Sequence, residues 1–246
     1  MYIIDAHTHL GECRVFDVAT SEHDLIESMD KHHIDVSLTQ PYPGAPSAND
    51  THDSIASLAK THSHRFYGIA SINPHQDSQV YFNELRRCVK DLGFVGVKLH
   101  TIGHAIHPAG VDATTVFESA QQLNIPVMMH TGPGIPFAAP SAVTSQLKRF
   151  PQVPVILAHA GHGIFSEEAI AVAQTSNIVY LEPSWCAFYH ISAMVNTLGS
   201  NRVMFGSDFP ANIPTMLASV RSIGLTKEDE EMVMGRTAQE VFKLAI

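Results

Sequence analysis

Charged side chains are scarce in this chain, and basic ones are the scarcest. Only 16% of the 246 residues are charged, and 15 Lys and Arg face 24 Asp and Glu, for a formal net charge of −9. A chain of this charge repels the phosphate backbone of a nucleic acid. We therefore expect no nucleic-acid partner.

Cysteines and long apolar runs are also few. The three cysteines, Cys13, Cys88 and Cys186, form no CxxC pair, which argues against a disulfide framework and against a thiolate zinc site. No apolar run is long enough to span a bilayer, and the first one contains Asp5 and lacks a basic leader. The sequence predicts reduced thiols, no membrane partner and a cytoplasmic location.

Histidine is abundant by contrast. The chain has 16 histidines, more than its 15 Lys and Arg together. Histidine is the commonest metal-ligand side chain and titrates near neutral pH. The positions of these histidines relative to the predicted strands therefore decide whether a metal site is expected.

Apolar, β-branched runs alternate with helical patterns along the whole chain. Runs this continuous are typical of strands covered on both faces, as in a parallel sheet. The eight predicted strands are 2–7, 36–40, 66–71, 95–100, 126–130, 154–159, 178–182 and 203–208. About 250 residues in eight such units are typical of a (β/α)8 TIM barrel. We therefore predict one α/β domain over 1–246, with an eight-stranded parallel barrel and extra C-terminal helix in 226–245. A doubly wound open sheet is the alternative, but the first strand is not followed by a glycine-rich phosphate motif.

Polar residues occur at the carboxyl ends of several predicted strands. In a barrel these ends converge on one mouth, where active sites are found. A strand has a side-chain period of two, so His7 and His9 face the same side. The predicted metal-binding residues are His7, His9, Lys98, His130, His159 and Asp208. His100, His162 and Trp185, which follow the same strand ends, are predicted to contact substrate.

Imidazole and carboxylate ligands together suit a divalent metal. Zinc fits best, as one or two ions, while Mn, Fe and Ni also accept such ligands. A catalytic ion makes hydroxide from its bound water near pH 7, and Asp208 is placed to accept the proton. Lys98 has two interpretations. It either reacts with CO2 to form a carbamate that bridges two metals, or stays an ammonium that pairs with Asp5 or Asp208 or binds an anionic substrate.

Several motifs around these residues resemble one family. DAHTHL, GVKLH, MMHTG, LAHAGH, GSDFP and the closing GRTAQEVFKL are similar, in this order, to the amidohydrolase superfamily, in its amidohydrolase-related (amidohydrolase 2) branch. The resemblance implies that His7, His9 and Asp208 bind one metal, and that His130 and His159 bind a second or hold the water. Lys98-Leu99-His100 is similar to the dihydroorotase motif, whose lysine is carboxylated. That similarity favours two metals.

These observations predict an enzyme with a small-molecule substrate. The leading hypothesis is a hydrolase that cleaves an amide, lactone or ester with metal-bound hydroxide, Asp208 being the proton shuttle. The alternative is a nonoxidative decarboxylase of an aromatic or unsaturated acid, which needs an aromatic wall and a clamp for the carboxylate. Arginine is scarce near the predicted mouth, which favours hydrolysis. A non-enzymatic metal-binding barrel is the third hypothesis, and the family resemblance also implies that the chain can form a homodimer.

Overall fold

The computed structural model describes residues 2–246, and an eight-stranded sheet forms its centre. The strand order is β2-β1-β3-β4-β5-β6-β7-β8, and every pairing is parallel except that of β1 with β2. The strands are β1 Ile4–Cys13, β2 Val18–Thr20, β3 Val36–Pro41, β4 Phe66–Ser71, β5 Gly96–Leu99, β6 Val127–His130, β7 Val155–Ala158 and β8 Val179–Glu182. The α/β class and a mostly parallel sheet are thus as predicted.

Helices follow the parallel strands and cover the outer face of the sheet. They are α1 Glu22–His32, α2 Ala48–Thr61, α3 Ser78–Lys90, α4 Val111–Leu123, α5 Thr144–Arg149, α6 Ser166–Gln174, α7 Phe188–Leu198, α8 Ile213–Arg221, α9 Lys227–Glu231 and α10 Thr237–Phe242. A π-helical turn, Met232–Arg236, joins the last two. None of the helices in residues 2–246 combines the length and the apolar character that crossing a membrane requires.

Two features of the sheet differ from the prediction. The first strand is longer than expected and pairs through Gly11–Cys13 with the short antiparallel strand β2, which has no clear sequence signal. The eighth predicted strand, 203–208, makes only an isolated bridge between Val203 and Leu181. The segment still contacts both neighbours, because Met204 N donates to Leu181 O and Ala6 N donates to Phe205 O.

The segment 203–208 does not form a regular strand because some of its amides donate to groups outside the strand pairing. Phe205 N donates to Val233 O, and Ser207 N donates to the Asp5 side chain. A regular ladder would need those groups for strand pairing. The segment therefore lies between β8 and β1 and places Asp208 beside the end of β1, where Asp208 N donates to His7 O at 2.7 Å.

Candidate metal centre and its pocket

The HxH motif of β1 places two buried imidazoles side by side. The rings of His7 and His9 are 5.2 Å apart, and both residues are less than 4% exposed. β1 carries one extra residue between Asp5 and Thr8 relative to β3, which is a bulge. Asp208 completes the group, since its Oδ1 lies 3.2 Å from His9 Nε2 and 3.4 Å from His7 Nε2.

Hydrogen bonds fix which ring nitrogen of each histidine carries the proton. His7 Nδ1 lies 2.6 Å from Glu182 Oε2, and His9 Nδ1 lies 3.2 Å from the Pro41 carbonyl. Both acceptors require a proton on Nδ1, so each Nε2 presents a lone pair toward Asp208. These two nitrogens and a carboxylate oxygen of Asp208 lie within 4.8 Å of one another. The donor set fits a divalent metal, whose ligand bonds are about 2.0–2.2 Å long.

Asp208 is held in place by its backbone and by Asp5. It has φ of 70°, a left-handed conformation that non-glycine residues seldom adopt. The Asp5 carboxylate accepts hydrogen bonds from Ser207 N and Ser207 Oγ, which fixes the residue before Asp208. Burial alone would raise the pKa of Asp208, but the imidazoles of His159 and His7 and contact with His9 bring that pKa well below 3.8. Asp208 is therefore an ionised carboxylate.

Glu182 connects two of the histidines, and the sequence analysis missed it. Its buried carboxylate accepts hydrogen bonds from His7 Nδ1, Ser184 N, Ser184 Oγ and His159 N. The Ser184 hydroxyl, which donates to Glu182, accepts from His159 Nδ1 at 2.7 Å. One carboxylate thus orients both rings. A carboxylate at the carboxyl end of the apolar strand VYLE was the available signal.

His159 begins a run of left-handed residues immediately after β7. His159, Ala160 and His162 have φ of 64°, 42° and 58°, and the two glycines of this segment are also left-handed. The turn points the His159 ring toward His7, with ring centroids 5.0 Å apart. Burial holds the pKa of His159 well below 6.5, so the ring is neutral and its Nε2 carries a lone pair.

His130 and His100 lie next to this centre without completing the donor set. Their rings stack at 4.2 Å, and His130 lies 4.8 Å from the His159 ring. Burial lowers the pKa of His130 to about 3, and its Nδ1 has no hydrogen-bond partner. Within residues 2–246, neither group of donor atoms that includes His7 contains His130. His130 is therefore a pocket residue with a free polar atom.

Lys98 is fully buried at the bottom of the site. Its Nζ donates to His7 Nε2 at 2.9 Å, the nitrogen that also faces Asp208. Lys98 makes this contact with His7 instead of the predicted ion pair with Asp5 or Asp208. Burial lowers the pKa of Lys98 to about 8, against the opposing effect of Asp208 and Glu182.

The donor set opens into a cavity of about 380 Å³. Its wall is mostly aromatic: Tyr42 stacks on His9 at 4.5 Å, Phe209 lies beside both, and Phe16 and Trp185 form the rim. The predicted substrate residues His100, His162 and Trp185 all line it. Within residues 2–246, no lysine or arginine lines this cavity. Tyr42 and Phe209 were missed, although they lie two residues and one residue after a predicted strand end.

A second cluster of possible ligands lies outside the sheet. His52 Nδ1, Glu84 Oε1 and Cys88 Sγ are 3.1–3.5 Å apart. His52 Nε2 already accepts the Ser71 amide, so Nδ1 must carry the proton and donate to Glu84. Burial also raises the pKa of the Cys88 thiol. These contacts identify a structural link between α2, α3 and β4 rather than a metal site.

A family model described as amidohydrolase matches residues 4–244. The chain belongs to the amidohydrolase family. The match includes every residue of the donor set and of the pocket, so the resemblance carried by the HxH, LAHAGH and GSDFP motifs is confirmed.

Individual members of the family resemble the chain at low identity. A gamma-resorcylate decarboxylase from Polaromonas sp. is 22% identical over 284 residues, which cover 89% of this chain and 86% of that protein. The crystal structure of a dihydroxybenzoic acid decarboxylase from Polaromonas sp. JS666, with bound manganese and the inhibitor 2-nitroresorcinol, has a TM-score of 0.80 at 18% identity. The alignment covers 99% of this chain and 97% of that one.

A third similarity bears on the fold. A TIM-barrel protein from Bordetella bronchiseptica gives a TM-score of 0.82 at 18% identity, with 99% of each chain covered. This chain therefore shares the overall path of a TIM-barrel protein, in agreement with its seven parallel strands.

Proposed function

We propose that this chain is a metal-dependent decarboxylase that removes CO2 from a small aromatic or unsaturated carboxylic acid. The observation that carries the proposal is the His7, His9 and Asp208 donor set at the bottom of an aromatic pocket. Decarboxylation of such an acid needs an aromatic wall, and the sequence alone did not show whether the pocket has one. The decarboxylase relatives support this order, which reverses the hydrolase-first expectation.

A divalent ion at these residues would supply positive charge that holds and polarises the substrate carboxylate. Side chains of the protein would position the ion and the substrate. His7 and His9 orient their Nε2 atoms, and Tyr42, Phe209 and Trp185 enclose the ring. As the carbon–carbon bond breaks, its electron pair stays on the ring carbon, which takes one proton, and CO2 leaves. We assign the proton transfer to Asp208, whose carboxylate passes one solvent proton from the mouth to the ring carbon and ends ionised again, so that the substrate anion and one proton give the decarboxylated product and CO2.

The proposal also covers the closure of the barrel, the partner and the identity of the metal. We propose that 203–208 closes the sheet into a complete (β/α)8 barrel, which its hydrogen bonds to β8 and to β1 support. The proposed partner is a small molecule. Zinc as the resident ion, a homodimer and a cytoplasmic location stay predictions.

Product analysis in D2O tests the reaction. Metal-loaded protein is incubated with a panel of hydroxybenzoic and unsaturated acids, and CO2 and the aromatic product are quantified. We expect stoichiometric CO2 and one deuterium at the carbon that lost the carboxyl group. An Asp208→Asn variant should lose most of this activity, because its amide cannot shuttle a proton. No CO2 from any acid of the panel would contradict the proposal.

Hydrolysis is the second candidate, and one observation favours it. Among the described residues that line the pocket, no lysine or arginine is present to bind a carboxylate. A panel of lactones, esters and amides of the same ring size distinguishes the two reactions. Turnover of these compounds without CO2 release would make hydrolysis the function.

A further inference from the structure

Trp185 connects the rim of the pocket to the metal-binding residues. Its indole Nε1 donates a hydrogen bond to Asp208 Oδ2 at 2.8 Å. The other oxygen, Oδ1, is the one that lies 3.2 Å from His9 Nε2 and 3.4 Å from His7 Nε2. One oxygen of Asp208 therefore accepts a hydrogen bond from the indole, and the other faces the two histidines of the donor set.

The backbone of Trp185 is strained to reach this position. Its φ of 67° lies in the left-handed region, where a bulky residue is a rare and strained outlier. Burial does not explain why the strain is tolerated, since the residue is 43% exposed. Its ring lies parallel to His162 and edge-on to Phe209, so the surrounding rings fix the plane of the indole.

We propose that Trp185 is a positioning residue for Asp208. The indole N–H engages Oδ2, so that Asp208 presents Oδ1 alone to the metal and to the reacting atoms. Without the N–H, the carboxylate rotates and its Oδ1 no longer stays aligned with both imidazoles. The inference rests on the proposed metal centre, but it holds whether the reaction is decarboxylation or hydrolysis.

A double-mutant cycle on metal affinity tests the coupling. Trp185→Phe removes the N–H and keeps an aromatic ring, and Asp208→Ala removes the acceptor. The full chain, depleted of metal with a chelator, is titrated with Mn²⁺ by calorimetry. We expect W185F to weaken Mn²⁺ binding about fivefold to tenfold, just below the range for one hydrogen bond to a charged group, because Trp185 is partly exposed to water. The same substitution in the Asp208→Ala background should change nothing.

The matched control is Phe188→Leu, which removes an exposed aromatic ring from the same segment, away from the pocket lining. This control should keep the wild-type affinity, and all variants should keep the wild-type melting temperature within a few degrees. An unchanged affinity in W185F would overturn the proposal. An equal loss in both backgrounds would also overturn it, because the effect would then bypass Asp208.

A metal-independent measurement covers the case in which Asp208→Ala binds Mn²⁺ too weakly to titrate. Trp185 is the only tryptophan, so the protein gives a single indole N–H resonance. We expect that resonance to move upfield and to exchange faster with water in Asp208→Ala than in wild type. An identical resonance in both proteins would overturn the hydrogen bond itself.

Kinetics separate positioning from substrate contact. With whichever substrate is turned over, W185F should lower kcat at nearly constant KM, since Phe keeps the ring that contacts substrate. A change in KM alone would overturn the positioning role. If no acid releases CO2 while W185F still weakens Mn²⁺ binding through Asp208, the decarboxylase proposal fails and the role of Trp185 stands.

Discussion

Glu182 Oε2 lies 2.6 Å from His7 Nδ1, and both side chains are fully buried. The carboxylate fixes the His7 proton on Nδ1 and leaves Nε2 as an acceptor. The same carboxylate reaches His159 through Ser184. The geometry of the candidate metal centre therefore depends on a residue outside the His7, His9 and Asp208 donor set.

Glu182→Gln should weaken Mn²⁺ binding. The carboxylate accepts four hydrogen bonds, and the amide group of glutamine cannot accept with its nitrogen, so at least one donor loses its partner. Loss of such an outer partner costs about 10-fold to 100-fold in metal affinity. Calorimetry measures the change, with Glu118→Gln in an exposed ion pair as the control. Equal affinities for wild type and Glu182→Gln would show that Glu182 does not orient His7.

Gly206→Ala should disturb the same carboxylate from the other side. A Cβ at position 206 would lie 2.5 Å from Glu182 Oε1, closer than any real contact, so Glu182 must move. We expect a lower melting temperature together with weaker Mn²⁺ binding. Gly110→Ala is the control, since its φ of −75° is ordinary and its added Cβ meets only the His107 carbonyl, a tight contact at 3.1 Å that does not involve Glu182. A variant at 206 that loses neither property would contradict the close packing.

Lys98→Met decides between the two interpretations of Lys98. His159 and Glu182 form a second group of possible ligands with His7, which already belongs to the first donor set. The atoms of this second group are engaged in hydrogen bonds with each other and with Ser184. We therefore predict one metal per chain. An ammonium 2.9 Å from His7 Nε2 repels a cation, and its removal should preserve or strengthen Mn²⁺ binding.

Metal content by mass spectrometry measures the ratio in wild type and in Lys98→Met, with exposed Lys90→Met as the control. Two ions per chain in wild type, falling to one or none in Lys98→Met, would instead indicate a bridging carbamate.

The stability of the protein should depend on His104 at acid pH. Burial lowers the pKa of His104 to about 4, with Lys98 and His75 adding to the effect, whereas the unfolded value is 6.5. The unfolded chain therefore binds the proton first. This one group lowers the free energy of unfolding by up to about 1.4 kcal/mol per pH unit as pH drops from 6.5 toward 4, in addition to the contributions of the other buried histidines.

His104→Gln should flatten this dependence, because glutamine does not titrate. Urea unfolding at about pH 7 and about pH 5 measures the difference, and His23→Gln, at an exposed position, should keep the wild-type slope. Equal slopes for wild type and His104→Gln would contradict the prediction.

The sequence predicts the positions of side chains better than the hydrogen bonds that orient them. Period-two alternation and the strand-end rule bring together His7 and His9 and place His159 nearby, because those rules depend on backbone geometry alone. The departure of 203–208 from a regular strand depends on the bond from Ser207 to Asp5, and the long β1 depends on pairing with Val18–Thr20. Such contacts are non-local, and no local pattern encodes them.

The roles of Glu182 and Trp185 are hidden for the same reason. Glu182 ends an apolar strand, and its position at the mouth can be deduced, but its contact with His7 across 175 positions cannot. The bond from Trp185 to Asp208 joins two residues with left-handed backbone, a conformation that is rare for tryptophan and only occasional for aspartate, so no sequence pattern predicts it.

Anomalous diffraction from crystals of the Mn²⁺-loaded protein locates the bound ion and its ligands. We expect one strong peak per chain, about 2.0–2.2 Å from His7 Nε2, His9 Nε2 and an oxygen of Asp208. No peak at these residues, or a peak between His52, Glu84 and Cys88, would contradict it.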